Sequence, residues 1–282
     1  MKNFIIRTIT AVFFVAAIVT SFLSPTAMVC LFAPITGLTI WEFTGLVNQR
    51  GGITVNRFIS TVAGAYFFLA MAGYNSGLTP ATVFIPYLVT IIYLMVAELY
   101  LKAKDPVNDW AYTMFSQLYI ALPFSLLNVL AFRYGGGAIN YSYLLPLSVF
   151  VFLWINDTGA YICGSLLGRH KLFPRISPGK SWEGSVGGGL LVVAVAVLVW
   201  HFTEQYGVND VGLSAIEWAG LGLTIVVFGT WGDLVESLFK RTLGIKDSGN
   251  ILPGHGGMLD RFDSSLLAIP AAVVYLYTLT LL

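Results

Sequence analysis

Residues 184–203 read GSVGGGLLVVAVAVLVWHFT, a run without a single Asp, Glu, Lys or Arg. An α-helix rises 1.5 Å per residue, so about 20 such residues cover the roughly 30 Å hydrocarbon core of a bilayer. The pattern recurs along the chain. Nine stretches qualify, at about 4–23, 26–47, 58–76, 80–101, 110–131, 141–163, 184–203, 212–237 and 264–282. Turn-forming residues punctuate them at Ser24-Pro25, Gly51-Gly52, Asn75-Ser76-Gly77, Gly135-Gly136-Gly137, Pro174 and Pro253-Gly254. The composition agrees: 57% of residues are hydrophobic and 10% are charged, where a soluble domain carries roughly 25% charged residues. Too few polar groups exist to cover a globular surface, so lipid is the expected solvent. These features predict an all-α, polytopic integral membrane protein with about nine transmembrane helices.

Lys2 and Arg7 ahead of the first apolar stretch resemble a signal peptide. The stretch is followed almost at once by another, without a clear small-x-small cleavage site, so a retained first span is expected. Cys30 and Cys163 lie in or beside apolar segments and read as small packing residues. The net charge of +1 and the lack of a basic arm give no indication of a nucleic-acid partner.

Lys and Arg set the orientation. With the N-terminus in the cytoplasm, 14 of the 15 basic residues fall on the cytoplasmic side, and Arg133 stands alone on the other. The C-terminus is then outside. The chain divides into spans one to four, residues 1–105, and spans five to nine, residues 106–282. The second part contains the two longest and most polar cytoplasmic loops, 164–183 and 238–263.

Ionisable groups within spans are costly and mark cavities or partners. Glu42, Glu98, Asp157, Glu183, Asp233 and Glu236 all fall near the cytoplasmic ends of their spans, which points to an enzyme working at that interface. Glu42 and Glu98 read most simply as interfacial acids pairing with a neighbouring Lys or Arg. Asp157, Tyr161 and Gly164 share a helix face, as do Asp233, Glu236, Ser237 and Lys240, at i, i+3, i+4 and i+7 spacings.

The first loop contains Ser177-Pro-Gly179-Lys180-Ser181-Trp182-Glu183-Gly184. It resembles the end of a Walker A loop, but Arg175 replaces the required glycine and no strand is expected before it. Lys180 supplies charge, Ser181 a hydroxyl, and the following helix its free N–H groups, all suited to phosphate. The second loop contains Lys246-Asp247 and Pro253-Gly254-His255-Gly256-Gly257-x2-Asp260-Arg261-x-Asp263. Its glycines allow an anion nest around His255. Asp260 and Asp263 are one helical turn apart, and carboxylates of this kind suit Mg²⁺, which bridges substrate phosphates. His255 reads equally as a phosphate contact, a loop residue or a proton-transfer group. Together these are the parts of Mg²⁺-dependent phosphoryl or nucleotidyl transfer; spacing alone does not name the nucleotide.

The run Ser237-x2-Lys240-Arg241-x4-Lys246-Asp247-x5-Pro253-Gly254-His255-Gly256-Gly257-x2-Asp260-Arg261-x-Asp263 closely resembles the signature of bacterial phosphatidate cytidylyltransferases, the CDP-diacylglycerol synthases. The segments Asn156–Tyr161 and Ser177–Gly184 are similar to that family too, with Ser181 where many members carry threonine. The resemblance covers about 154–264. It implies a homodimer in the cell inner membrane, CTP and phosphatidic acid as substrates, Mg²⁺ as cofactor, and room for a second, monovalent cation such as K⁺. It implies that Asp233 and Asp260 bind metal, with Asp263 anchoring the loop. The lipid phosphate then attacks the α-phosphorus of CTP in line, while Lys180, Ser181, Lys240, Arg241, Lys246 and Arg261 hold phosphate oxygens. Asp157, Tyr161, Ser177, Glu183, Ser237, Asp247, His255, Gly256 and Gly257 complete the expected substrate surface. The attacking phosphate is already anionic and needs no strong base. Another membrane enzyme of lipid or polyprenyl phosphates should lack this combined signature. A secondary transporter should carry paired broken helices in two repeated halves.

Overall fold

The computed structural model describes residues 2–135, 137–208, 211–249, 251 and 256–279, the side chains of 2–7 excepted. Of the described residues 75% are helical. Among the described residues eleven α-helices follow in order: α1 Lys2–Ser21, α2 Pro25–Val47, α3 Arg57–Asn75, α4 Ile85–Leu101, α5 Pro106–Ser116, α6 Leu122–Ala131, α7 Leu144–Leu167, α8 Trp182–Gln205, α9 Ala215–Thr242, α10 Leu259–Phe262 and α11 Ser265–Thr278. One π-helical turn, Gln117–Ala121, joins α5 to α6. Among the described residues seven segments are long and apolar enough to cross a membrane: 25–47, 57–75, 81–101, 106–131, 144–167, 182–205 and 215–242. The chain is a multi-pass membrane protein. Its α4 displays Leu88, Val89, Ile92 and Leu99 more than half exposed, an apolar face that suits lipid as solvent. The two terminal stretches expected to span are shorter as described: an apolar helix at Thr8–Ser21 and the 14 residues of α11.

Local sequence sets the helix ends. Asn56 accepts the Ile59 N–H at 3.1 Å to cap α3, and Asp105 accepts the Asn108 N–H at 3.2 Å ahead of Pro106 in α5. Such caps are worth about 1 kcal/mol each. Lys102 ends α4 in the left-handed region at φ 50°.

The chain forms two compact units. The first comprises residues 1–143 and 242–262. Its core is a cluster of phenylalanines. Phe32 lies with its ring centroid 5.3 Å from Phe22, 6.2 Å from Phe124 and 6.3 Å from Phe262. Phe262 also meets Phe14 and Phe124, at 5.5 and 5.2 Å. The short α10 is thereby fixed to the core by one buried aromatic side chain. A small antiparallel hairpin, β1 Phe132–Gly135 and β2 Ala138–Tyr141, precedes α7.

The second unit comprises residues 144–241 and 263–282. Helices α7 and α8 run close because glycine faces glycine. A Cβ on Gly159 would meet Gly188 Cα at 3.0 Å, and one on Gly184 would meet the Ala160 carbonyl at 2.8 Å. A second hairpin, β3 Lys171–Phe173 and β4 Ser177–Ser181, leads into α8.

The helical expectation holds, with two small two-stranded hairpins added to the helices. The expectation of no strand near Gly179-Lys180-Ser181 is corrected. These residues lie within β4, because the Ile176 N–H closes a turn on the Phe173 carbonyl at 3.1 Å and the Ile176 side chain is buried. The supposed loops are shorter than expected. Helix α7 runs on to Leu167, and α9 extends to Thr242, so Lys240 and Arg241 are helical.

Candidate active site

In the second unit a cavity of about 380 Å³ is lined by Asn156, Asp157, Ala160, Tyr161, Gly179, Lys180, Ser181, Gly184, Ser185, Thr230 and Ser264. The sequence-predicted residues Asp157, Tyr161, Lys180 and Ser181 are thus brought together. Lys180 Nζ lies 2.5 Å from Asp233 Oδ2, and the Ser237 hydroxyl donates to Asp233 Oδ1 at 3.2 Å. Lys180 and Asp233 side chains are 26% and 28% exposed, so solvent and ligand can reach both. One turn further along α9, Lys240 Nζ lies 2.7 Å from the fully buried Glu236. Charge-assisted contacts of this kind hold the ammonium in place.

Asp263 is half-buried just beyond α10. Burial and then the Asp233 carboxylate push its carboxyl up to about 7; Asp157 adds to the rise, while the Ser264 N–H and Lys240 oppose it. Asp233 and Asp157 therefore act on Asp263 as like charges. Among the described residues no three acidic, His or Cys side chains converge as a metal cage. That fits Mg²⁺ well enough: the ion takes one or two carboxylates plus substrate phosphates and water, not an all-protein shell. The donors present are hard carboxylate oxygens, the right type for it.

Ser181 serves first as the N-cap of α8: its buried hydroxyl accepts the Gly184 N–H at 3.2 Å. Glu183 faces elsewhere. Its carboxylate accepts the His170 N–H at 3.1 Å, and its Oε1 lies 2.6 Å from His170 Nδ1. Both residues border a shallow basic depression with Arg169, Lys171 and Trp182. Ser177 pairs with Phe173 across the hairpin.

In the first unit Asp260, on α10, closes the second loop. Its Oδ2 accepts the Ser248 N–H at 2.8 Å, the Ser248 hydroxyl at 2.9 Å and the Gly257 N–H at 2.8 Å. Gly256 sits at φ +82°, a backbone conformation favouring glycine, and a Cβ there would come 2.6 Å from Asp260 Oδ2. Asp260 lies within α10, and Asp263 follows directly after its end at Phe262. Lys246, Asp247 and Arg261 are exposed, as is Arg241 on α9. His255 lies outside the described residues.

Two residues escaped the sequence reading, and a third was read differently. Thr230 lines the cavity; its signal was there, because Thr230, Asp233 and Ser237 follow i, i+3, i+7. His170 carries no motif signal in the sequence. Among the described residues Glu42 makes no pair with Lys or Arg of the kind its position led us to expect. It is buried, and its Oε2 accepts the Leu259 N–H at 2.9 Å.

Residues 5–279 match the model of the Cytidylyltransferase family. The chain is 32% identical over 268 residues to the phosphatidate cytidylyltransferase of Staphylococcus aureus, covering 94% of this chain and 96% of the relative. It is 33% identical to that of Staphylococcus epidermidis over 268 residues, with the same shares covered. With that of Haemophilus influenzae it shares 31% identity over 278 residues, covering 94% of this chain and 95% of the relative. With its long signature and the match running nearly end to end, the chain belongs to the Cytidylyltransferase family.

Proposed function

We propose that this protein converts CTP and phosphatidate into CDP-diacylglycerol and pyrophosphate. The observation that carries the reading at the level of geometry is the Lys180–Asp233 pair beside a cavity of about 380 Å³. A lysine and a carboxylate held against each other can separate onto a phosphate and a cation when substrate enters. An oxygen of the lipid phosphate attacks the α-phosphorus of CTP. The α–β phosphoanhydride bond breaks, and pyrophosphate leaves with the electron pair. The attacking oxygen is anionic, so no residue need remove a proton.

The roles of single residues rest on the motif. Lys180 holds a phosphate oxygen from the cavity wall. Lys240, Arg241, Lys246 and Arg261 balance the charge of the triphosphate and the departing pyrophosphate. By the motif, Asp157, Tyr161, Ser177, Ser181 and Ser237 are assigned to the substrate surface, and Asp247, His255, Gly256 and Gly257 to phosphate contact. Glu183 contributes through His170 and the hairpin. Asp233 and Asp260 are the proposed metal ligands, an assignment resting on the signature, with Asp263 as the supporting acid. Mg²⁺, with room for a monovalent ion such as K⁺, supplies charge neutralisation at the transferred phosphate.

The further features of the proposal are nine spans, a cytoplasmic N-terminus, an outer C-terminus, and a homodimer in the inner membrane with its site facing the cytoplasm. The asymmetry of Lys and Arg supports the orientation. Chemistry is assigned to residues 106–282, with 1–105 as supporting spans. Asp233→Asn and Asp260→Asn should each abolish turnover in protein that still inserts and purifies. Near-wild-type turnover in either would remove that residue from the metal shell.

A further inference from the structure

We infer that Glu42, on α2, is a positioning residue that sets the shape of the loop carrying Asp260. Glu42 is 6% exposed, inside an apolar helix. A carboxylate there is expensive unless strongly compensated. Among the described residues no Lys or Arg lies within ion-pair distance of it. Its partner is instead main chain: Oε2 accepts the N–H of Leu259, the residue before Asp260, at 2.9 Å.

The other oxygen, Oε1, lies against the backbone of Gly249 and Gly257. A Cβ on either glycine would overlap it, and for Gly249 the three nearest atoms such a Cβ would meet all belong to Glu42. The carboxylate therefore occupies the space that side chains at 249 and 257 would need. Asp260 Oδ2 takes the N–H groups of Ser248 and Gly257. The loop is gripped twice at the same places. Glu42 forms the seat on which Ser248–Gly249 and Gly257–Leu259 rest, and Asp260 is the clasp that closes over it. Moving the seat moves the Asp260 carboxylate, although Glu42 itself touches no substrate. The inference rests on the reading of this loop as the phosphate- and metal-handling one.

The test has two arms on the full-length protein in detergent. The first is hydrogen exchange of the 256–262 segment in metal-free protein. Glu42→Ala should speed exchange at the Leu259 amide about tenfold, the loss of one protecting hydrogen bond. Glu42→Gln, whose amide oxygen still accepts, should restore it. The second arm is a double-mutant cycle on kcat. Glu42→Ala and Gly249→Ala should each lower kcat on the order of 100-fold, as expected of a misplacement near 1 Å. The double variant should be no more than about threefold worse than Glu42→Ala, because the clash is gone. Additive losses in the cycle, or unchanged Leu259 exchange in Glu42→Ala, would overturn the inference. If Glu42→Ala is not recovered as folded protein, Gly249→Ala alone decides: faster Leu259 exchange supports the seat, unchanged exchange overturns it. Asp260→Asn assayed alongside separates the two levels. Its inactivity with an additive cycle sinks only the role of Glu42, whereas its full activity sinks the reading of the loop and the inference together.

Discussion

Replacing Lys180 by Met should tighten the enzyme's hold on the divalent ion and slow its turnover. Met keeps the length of the stem and removes the ammonium that lies 2.5 Å from Asp233 Oδ2. A buried charge-assisted bond is worth about 1.5–3 kcal/mol. Both side chains are about a quarter exposed, at 26% and 28%, so solvent screening lowers the competing contribution to about 1 kcal/mol. Removing that competition for the carboxylate should let a divalent ion half-saturate the enzyme at a concentration about fivefold lower, since 1.4 kcal/mol is a factor of ten. The same ammonium is proposed to hold a phosphate oxygen as charge moves during transfer. Losing one preorganised donor costs about 3 kcal/mol, so kcat should fall on the order of 100-fold. The assay is incorporation of labelled CTP into lipid across a Mg²⁺ titration. A kcat within threefold of wild type, or a Mg²⁺ midpoint that rises, would refute the reasoning.

Gly232→Ala should destabilise the second unit, because the added Cβ would lie 2.7 Å from the Asp263 carbonyl and 3.1 Å from Ser264 Cα. Backbone must shift to admit it, at a cost of about 1–3 kcal/mol, read as a lower Tm in detergent. Ser181→Ala should lose the cap on the Gly184 N–H, about 1 kcal/mol, whereas Ser181→Thr should keep most of it. In metal-free protein, Asp263 is raised from 3.8 to about 7 by burial and then by Asp233. The folded state therefore holds the proton more tightly than the unfolded one, and stability should fall as pH rises from about 4 to 7 and level off above that. Asp263→Asn should flatten this slope in pH-dependent thermal melts.

The spans were legible because hydropathy and length are sufficient for a helix in lipid, and seven of the expected stretches appear as long apolar helices. The cavity was legible in part. Asp157 and Tyr161 share a helix face, and Lys180 lies in a dense motif, so the pattern of residues carried their meeting. The hairpin β3–β4 was not legible. Strands of three and five residues in a polar loop show no apolar alternation to mark them. Glu42 was misread for a related reason. Its partner is the N–H of Leu259, 217 positions away, and a backbone donor leaves no trace in residue identity. A search for lone acids in spans finds Glu42, but only the folded chain shows what it holds.

The most direct test of the central claim follows two labels through purified protein in detergent with Mg²⁺ and phosphatidic acid. CTP labelled at the α-phosphorus should leave its label in the lipid phase, and CTP labelled at the γ-phosphorus should leave its label in pyrophosphate. Both transfers should require the divalent ion and the lipid. γ-Label in the lipid would make the protein a kinase, and no α-label in the lipid from folded protein would contradict the assignment outright.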